Sequence, residues 1–366
     1  MKQIHLLTFL GLLFLLPAIA DAEQQQTPAA QFRIGVILPL SGESASLGNY
    51  ARKAVELAYQ QRSAAERRQV ALFFEDDRWN VTLSVTAYHK LVDEKGVQAI
   101  MVMGSAVGNA LAPLAERDRV VLIALGASDF NLVKGRHFSF LHWVTPETEG
   151  QEAVKEMLLR DYKRIAFITA EQVGWLAVYK AVLEALKRSG RGDRVVLDQT
   201  YLPEERDFHT YIARARQKDV NAIVIGLLPG SLSAFVKLAR QAGISADFIG
   251  LETFEDENEV KAASGALYGQ WYVNAGEPTP EFIELYRKGY QEYPAWTCSN
   301  SFDSVNLLVD GFKINGANTG AIAQYLATLK DYHGAAGRYS ATGDQRFTLP
   351  ATVKVVTKNG FEPLHR

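Results

Sequence analysis

The chain has 366 residues, with 39 Lys and Arg against 41 Asp and Glu, a formal net charge of −2 at pH 7, and one cysteine. Such a balance excludes a nucleic-acid surface, which needs concentrated positive charge, and gives no support to a polybasic membrane surface. The single thiol, Cys298, excludes an internal disulfide, so the hydrophobic cores must hold the fold unaided. Cys298 is expected to be a buried, inert residue.

The chain opens on Lys2, an uncharged apolar run from Leu6 to Ala20 broken by Pro17, and small residues at Ala20-Asp21-Ala22. This is the pattern of a cleaved secretory signal, expected over residues 1–22, and the run is too short to span a bilayer. Residues 23–31 begin with the polar string EQQQTPAA and read as a disordered leader. The remaining length, about 340 residues, suggests two domains.

Apolar runs of strand length then alternate with amphipathic stretches of helix length. Phe32–Leu38 reads as a strand and Leu47–Gln61 as a helix with Ala51, Ala54, Val55 and Ala58 on one stripe. Val70–Phe74 is a strand and Val81–Glu94 a helix. Ala99–Met103, Asn109–Arg117 and Val120–Leu125 continue as strand, helix, strand. A second series starts after Pro146. It runs through helices at 148–160, 175–189, 208–217 and 231–242, and strands at 164–169, 195–201, 222–226 and 248–251. Continuous apolar strands separated by helices imply parallel sheets covered on both faces. MVMGSAVGNALAPLA (Met101–Ala115) and VIGLLPGSLSAFVKLA (Val224–Ala239) repeat one strand–turn–helix plan in the two series. Consecutive helices follow at 280–293, 302–312 and 321–329, with two short strands near 337–339 and 352–356.

Catalytic motifs are absent. The sequence has no G-x-S-x-G, H-E-x-x-H or G-x-x-x-x-G-K-[ST]. His137 and His142 flank an apparent strand at a spacing poor for a metal. Asp76-Asp77 read as capping carboxylates at a strand end. No serine has the setting of an activated nucleophile. No enzyme activity, metal or cofactor is expected.

The strand-to-helix turns are rich in Gly, Ser and Ala: Leu40-Ser41-Gly42, Gly104–Asn109, Leu125–Asp129, Thr169–Trp175, Gly226–Ser231 and Gly250–Phe254. Ligands of open α/β sheets settle at such turns, where N–H groups at helix starts can satisfy a carboxylate. Glu252 is the acidic side chain of Leu251-Glu252-Thr253 and can receive an ammonium or hydroxyl donor.

Seven phrases in order give the chain a specific resemblance. They are IGVILPLSG (34–42), FFEDD (73–77), GSAVGNALAPLAE (104–116), IALGASDFNL (123–132), YLPEERDFHTYIARAR (201–216), LARQAGISADFIGLET (238–253) and FDSVNLLVDGF (302–312). The mature chain resembles the leucine/isoleucine/valine-binding family of periplasmic solute-binding proteins, the type I fold of ABC importers. The resemblance implies a two-lobed α/β fold, each lobe a mostly parallel sheet flanked by helices, joined by a multi-strand hinge. One lobe would comprise 32–146 plus 277–348, the other 147–276 plus 349–366. It also implies a monomeric periplasmic receptor that closes on a small molecule and presents it to a membrane permease, or in the same fold to a membrane sensor.

In that family, turn residues of the first lobe and a glutamate of the second hold an amino-acid ligand. Ser128 lies where the family has a threonine or serine, with Gly126 and Ala127 beside it, and Glu252 lies where it has the ammonium-binding glutamate. The plainer readings are a helix-capping serine and an exposed turn carboxylate. The chain departs from the pattern at Val107-Gly108-Asn109, where serine hydroxyls are usual. Leu47 stands where an aromatic is usual. Val173 (with Trp175 close by) and Leu228 stand where tyrosines are common. Trp79 and Val107 occupy the places of a cysteine pair. Ser41 and Phe254 complete the candidate set. The more apolar lining points to an amino acid or to a more hydrophobic small molecule.

Overall fold

The computed structural model describes residues 31–364. The expected secretory signal and all but Gln31 of the expected leader lie outside these residues. The first half runs β1 (Phe32–Leu38), α1 (Ala45–Gln61), α2 (Ala64–Gln69), β2 (Val70–Asp76), α3 (Val81–His89), β3 (Ala99–Met103), α4 (Ser105–Asp118), β4 (Val121–Leu125) and β5 (Ser139–His142). The second runs α5 (Pro146–Leu159), β6 (Ile165–Ala170), α6 (Val173–Arg188), β7 (Val195–Tyr201), α7 (His209–Gln217), β8 (Ala222–Gly226), α8 (Ser231–Gln241), β9 (Asp247–Gly250), α9 (Glu257–Ala262) and β10 (Trp271–Ala275). Then come α10 (Pro280–Tyr290), α11 (Cys298–Asn315), α12 (Thr319–Ala327), β11 (Tyr332–Gly334), β12 (Gly337–Tyr339), β13 (Ala351–Thr357) and β14 (Gly360–Pro363).

These form two sheets of mostly parallel strands flanked by helices, as the alternation implies. One has the order β2-β1-β3-β4-β5, the other β14-β13-β10-β9-β8-β6-β7. All pairs of the first sheet are parallel, whereas β13 joins β10 and β14 antiparallel. The inner strands β3, β4, β6 and β8 are buried at every position. Burial on both faces is why these strands show no period-2 alternation.

The last third of the chain serves both halves. Val305, Leu308 and Phe312 of α11 and Ile322 and Leu326 of α12 lie in one core with Phe32, Ile34 and Met101. The Phe32 and Phe312 rings stack with centroids 5.0 Å apart. Val356 of β13 belongs instead to the core around Phe167, Phe248 and Trp271. The two short strands near the end do not pair with each other: β12 pairs with β11, and β13 enters the second sheet. β10 is absent from the periodicity reading, although Gly269 and Gly276 bound it, and the helix expected over 81–94 ends in a π-turn at Lys90–Glu94.

The chain passes between the halves at Trp143–Thr145, at Gly276–Thr279 and at Leu349–Pro350. The last two passages are joined, Gly276 N donating to Pro350 O at 2.8 Å. Lys354 lies beside them, its Nζ 2.7 Å from Glu255 Oε1 and 2.5 Å from Glu277 Oε1. Burial opposes its charge, and the two carboxylates outweigh that effect and raise the ammonium pKa.

Candidate functional site

In each sheet the order of strand connection reverses, between β1 and β3 and between β6 and β8, while the strands there stay parallel. Such switch points open a crevice outside the carboxyl ends of the strands. A cavity of ≈ 330 Å³ lies there, lined from both halves, a volume at the lower end for small-molecule sites. Wider, shallower grooves lie on outer helix faces, as along Gln151, Leu158 and Arg188.

From the first half come Glu43, Ser44 and Leu47 after β1, Arg78 and Trp79 after β2, and Gly126 and Ser128 after β4. The β2 turn is held by its two aspartates. Asp76 accepts from Leu40 N, Ser41 N, Ser41 Oγ and Arg78 N, and Asp77 accepts from Trp79 N and Ser84 Oγ. Arg78 and Trp79 consequently stand at φ 52° and 58°. Two consecutive left-handed non-glycine residues are strained backbone of the kind that concentrates at functional sites. Trp296, just before α11, covers Gly126 and meets Trp143 edge-on at 5.1 Å. A Cβ at Gly126, where φ is 54°, would come 2.8 Å from Trp296.

The second half contributes Gln172, Gly174 and Trp175 after β6, Leu228 and Pro229 after β8, and Glu252 and Thr253 after β9. Gln172 caps α6 by accepting from Trp175 N at 2.9 Å. Trp175 Nε1 donates to Glu252 Oε1 at 2.6 Å. The starts of α4 and α6 face each other so closely that a Cβ on Gly174 would lie 2.9 Å from Ser105 Oγ.

Electrostatically the interior is acidic. Burial pushes the Glu252 carboxyl up, against the opposing bond from Trp175. Glu149, in the first turn of α5, is 1% exposed and neither carboxylate oxygen has a hydrogen-bond partner. Burial, with Glu252 nearby, holds its pKa well above the carboxylate range. At the mouth, Arg78 is exposed, with Nε 3.9 Å from Asp76 Oδ2.

Of the residues expected at the site, Leu47, Gly126, Ser128, Trp175, Leu228 and Glu252 line the cavity. The others stand apart from it. Ser41 Oγ is engaged by Asp76. Gly108 is inside α4, where a Cβ would strike Leu132. Asn109 Nδ2 donates to Asp129 Oδ2 at 2.7 Å. Ala127 is in the core, Val173 is exposed beside Phe130, and Phe254 is fully buried against Gly250 and Tyr272. Ser105, two residues before the Val107–Asn109 stretch, is buried beside the site. Its Oγ accepts from Ser128 N at 2.9 Å and Asp129 N at 3.2 Å. Sequence reading missed Trp79, Trp296, Arg78, Gln172 and Glu43. The Asp-Asp pair is the one signal that points to the Trp79 turn, since Asp side chains brace such turns.

His137 and His142 share no site. His137 lies on the surface against Glu116, and His142 is buried with Nδ1 2.8 Å from Ser304 Oγ. Among the described residues no group of three or more His, Cys, Asp or Glu is placed to hold a metal. Cys298 is buried, and burial pushes its thiol up to about 12.

Two α/β sheets facing each other across a cavity at their carboxyl edges define a two-sided ligand receptor. A family model described as periplasmic binding protein matches residues 31–360, and the chain belongs to that family. The family consists of solute-binding proteins and implies the periplasm. No helix among the described residues is long and apolar enough to cross a membrane. The leucine-specific-binding protein of Salmonella typhimurium is 23% identical over 260 residues, 69% of each chain. The leucine binding protein LivK of Thermotoga maritima matches with a TM-score of 0.85 at 20% identity, over 91% of this chain and 98% of that one. An ABC transporter solute binding protein from R. palustris in complex with benzoate matches with a TM-score of 0.81 at 17% identity, over 91% and 95%. At these identities the solved structures establish the fold.

Proposed function

We propose that the chain is a monomeric periplasmic receptor that closes two lobes around a small organic molecule and delivers it unaltered to the permease of an ABC importer. The observation that carries this reading is the cavity between the sheets, built from turns of both halves. The lobes comprise 32–146 with 277–348 and 147–276 with 349–366, and the three passages between them form the hinge. The ligand is an amino acid or a more hydrophobic molecule. Leu47, Leu228 and the tryptophan faces supply apolar contact, while Ser128 and Glu252 supply polar ends. Relatives named for leucine and a structural neighbour holding benzoate support a ligand of this size.

Native mass spectrometry of the purified protein tests the reading. One intact small molecule per chain, together with ligand-induced compaction in small-angle scattering, is expected. Chemical turnover of the bound compound, or a scattering profile unchanged by every ligand that binds, would overturn it.

A further inference from the structure

Resting on that receptor reading, we propose that the cleft selects an organic cation: an amine with an apolar body and no carboxylate. Two independent observations carry this.

The first is the fate of the donors that would hold an anion. Helix starts at a cleft are ready anion sites only while their N–H groups are free. Here the protein's own oxygens engage many of them. Asp76 takes Leu40 N and Ser41 N, together with the Ser41 hydroxyl. Ser105 Oγ takes Ser128 N and Asp129 N. Glu259, reaching from α9, takes Gly230 N and, at 2.7 Å, Ser233 N at the start of α8. Gln172 takes Trp175 N. Ser128 and Trp175 line the cavity, and a ligand carboxylate reaching their N–H groups would have to displace Ser105 Oγ or Gln172 Oε1.

The second is the sign and shape of what remains. The side chain of Glu252 lines the cavity, as does Glu43. Trp79, Trp175 and Trp296 line the same space. Aromatic faces joined to carboxylates attract a cation by the ring quadrupole and by charge, and cover its apolar substituents. Arg78 is the one basic residue lining the cavity, and it stands exposed at the mouth with Asp76 and Glu43. Glu252 is the contacting residue.

Calorimetry on the mature chain with matched probes tests this. One series is 3-methylbutylamine, leucine and 4-methylpentanoate. The other is phenethylamine, phenylalanine and 3-phenylpropanoate. Each holds the apolar body fixed and changes only the charge. The amine of at least one series is expected to bind about tenfold or more tighter than its amino acid, and the acid weakest. Glu252→Gln should remove about tenfold or more of amine affinity, with circular dichroism confirming the fold. Tighter binding of an amino acid or acid, amine binding indifferent to Glu252→Gln, or failure of both amines at millimolar concentration would each overturn the proposal. None of these touches the receptor reading, which falls only by the mass-spectrometric and scattering results.

Discussion

The indole N–H of Trp175 and the carboxylate of Glu252 meet at 2.6 Å, tying the start of α6 to the turn after β9. This bond spans two of the three second-half turns that line the cavity. Trp175→Phe keeps an aromatic ring, though a smaller one, and removes the donor, leaving Glu252 largely buried without it. The expected cost at pH 7 is roughly 1.5–3 kcal/mol, the range for a hydrogen bond to a charged group. It should shrink at pH 4, where a protonated carboxyl needs the donor less. Urea unfolding at the two pH values checks both parts.

The bare face of Gly174 lets the starts of α4 and α6 meet. Valine there would drive its side chain into Ser105 Oγ, since even a Cβ comes within 2.9 Å. Gly174→Val is expected to leave each half folded and to weaken ligand binding about tenfold or more by holding α4 and α6 apart. Calorimetry against the native ligand reads the affinity, and scattering reads the loss of compaction. Unchanged affinity would show that the two helix starts need not approach.

His142 gives stability a pH dependence of known sign. Burial lowers its pKa from the usual 6.5 to about 4, so it is neutral in the fold. The unfolded chain takes up the proton first as pH falls, so stability is lost between pH 6.5 and 4. The shift corresponds to roughly 3 kcal/mol. The stability difference between wild type and His142→Asn should move against the wild type by about that amount over this window. A pH-independent difference in urea unfolding would remove the assignment.

Lys354 holds Glu255 and Glu277 together where the chain passes between the halves. Lys354→Met would leave two neighbouring carboxylates with no cation between them. The expected loss at pH 7 is about 3 kcal/mol, as for breaking a buried pair from one side. Lower pH should relieve it by protonating the carboxylates. A neutral effect at pH 7 would mean that water replaces the ammonium there.

The sheets were legible because their strands are continuous apolar runs of strand length, as in Ala99–Met103 and Ala222–Gly226, whose bounds agree with the structure. Of the residues that line the cavity, Ser128 was named through the family resemblance and Glu252 through that resemblance and its turn. Trp79 reaches the cavity through two left-handed residues braced by Asp76 and Asp77, a geometry that periodicity does not encode. Trp296 lies between α10 and α11 and meets Gly126 only through tertiary packing. Phe254 failed as a site residue because its turn points the ring back onto Gly250. Glu149 falls on a helix where a carboxylate would ordinarily be solvated, and its burial comes from the neighbouring elements.

Synthesis from the N-terminus leaves the first sheet waiting. Its core is completed by α11 and α12, and the second sheet by β13, so neither half can close until the distal third of the chain exists. Until then the faces of β1, β3 and β4 offer long apolar stretches to any chaperone that binds nascent chains. A polypeptide stopped before Cys298 should accumulate as an aggregating fragment, and delayed self-burial of this kind keeps a chain threadable through a translocation pore.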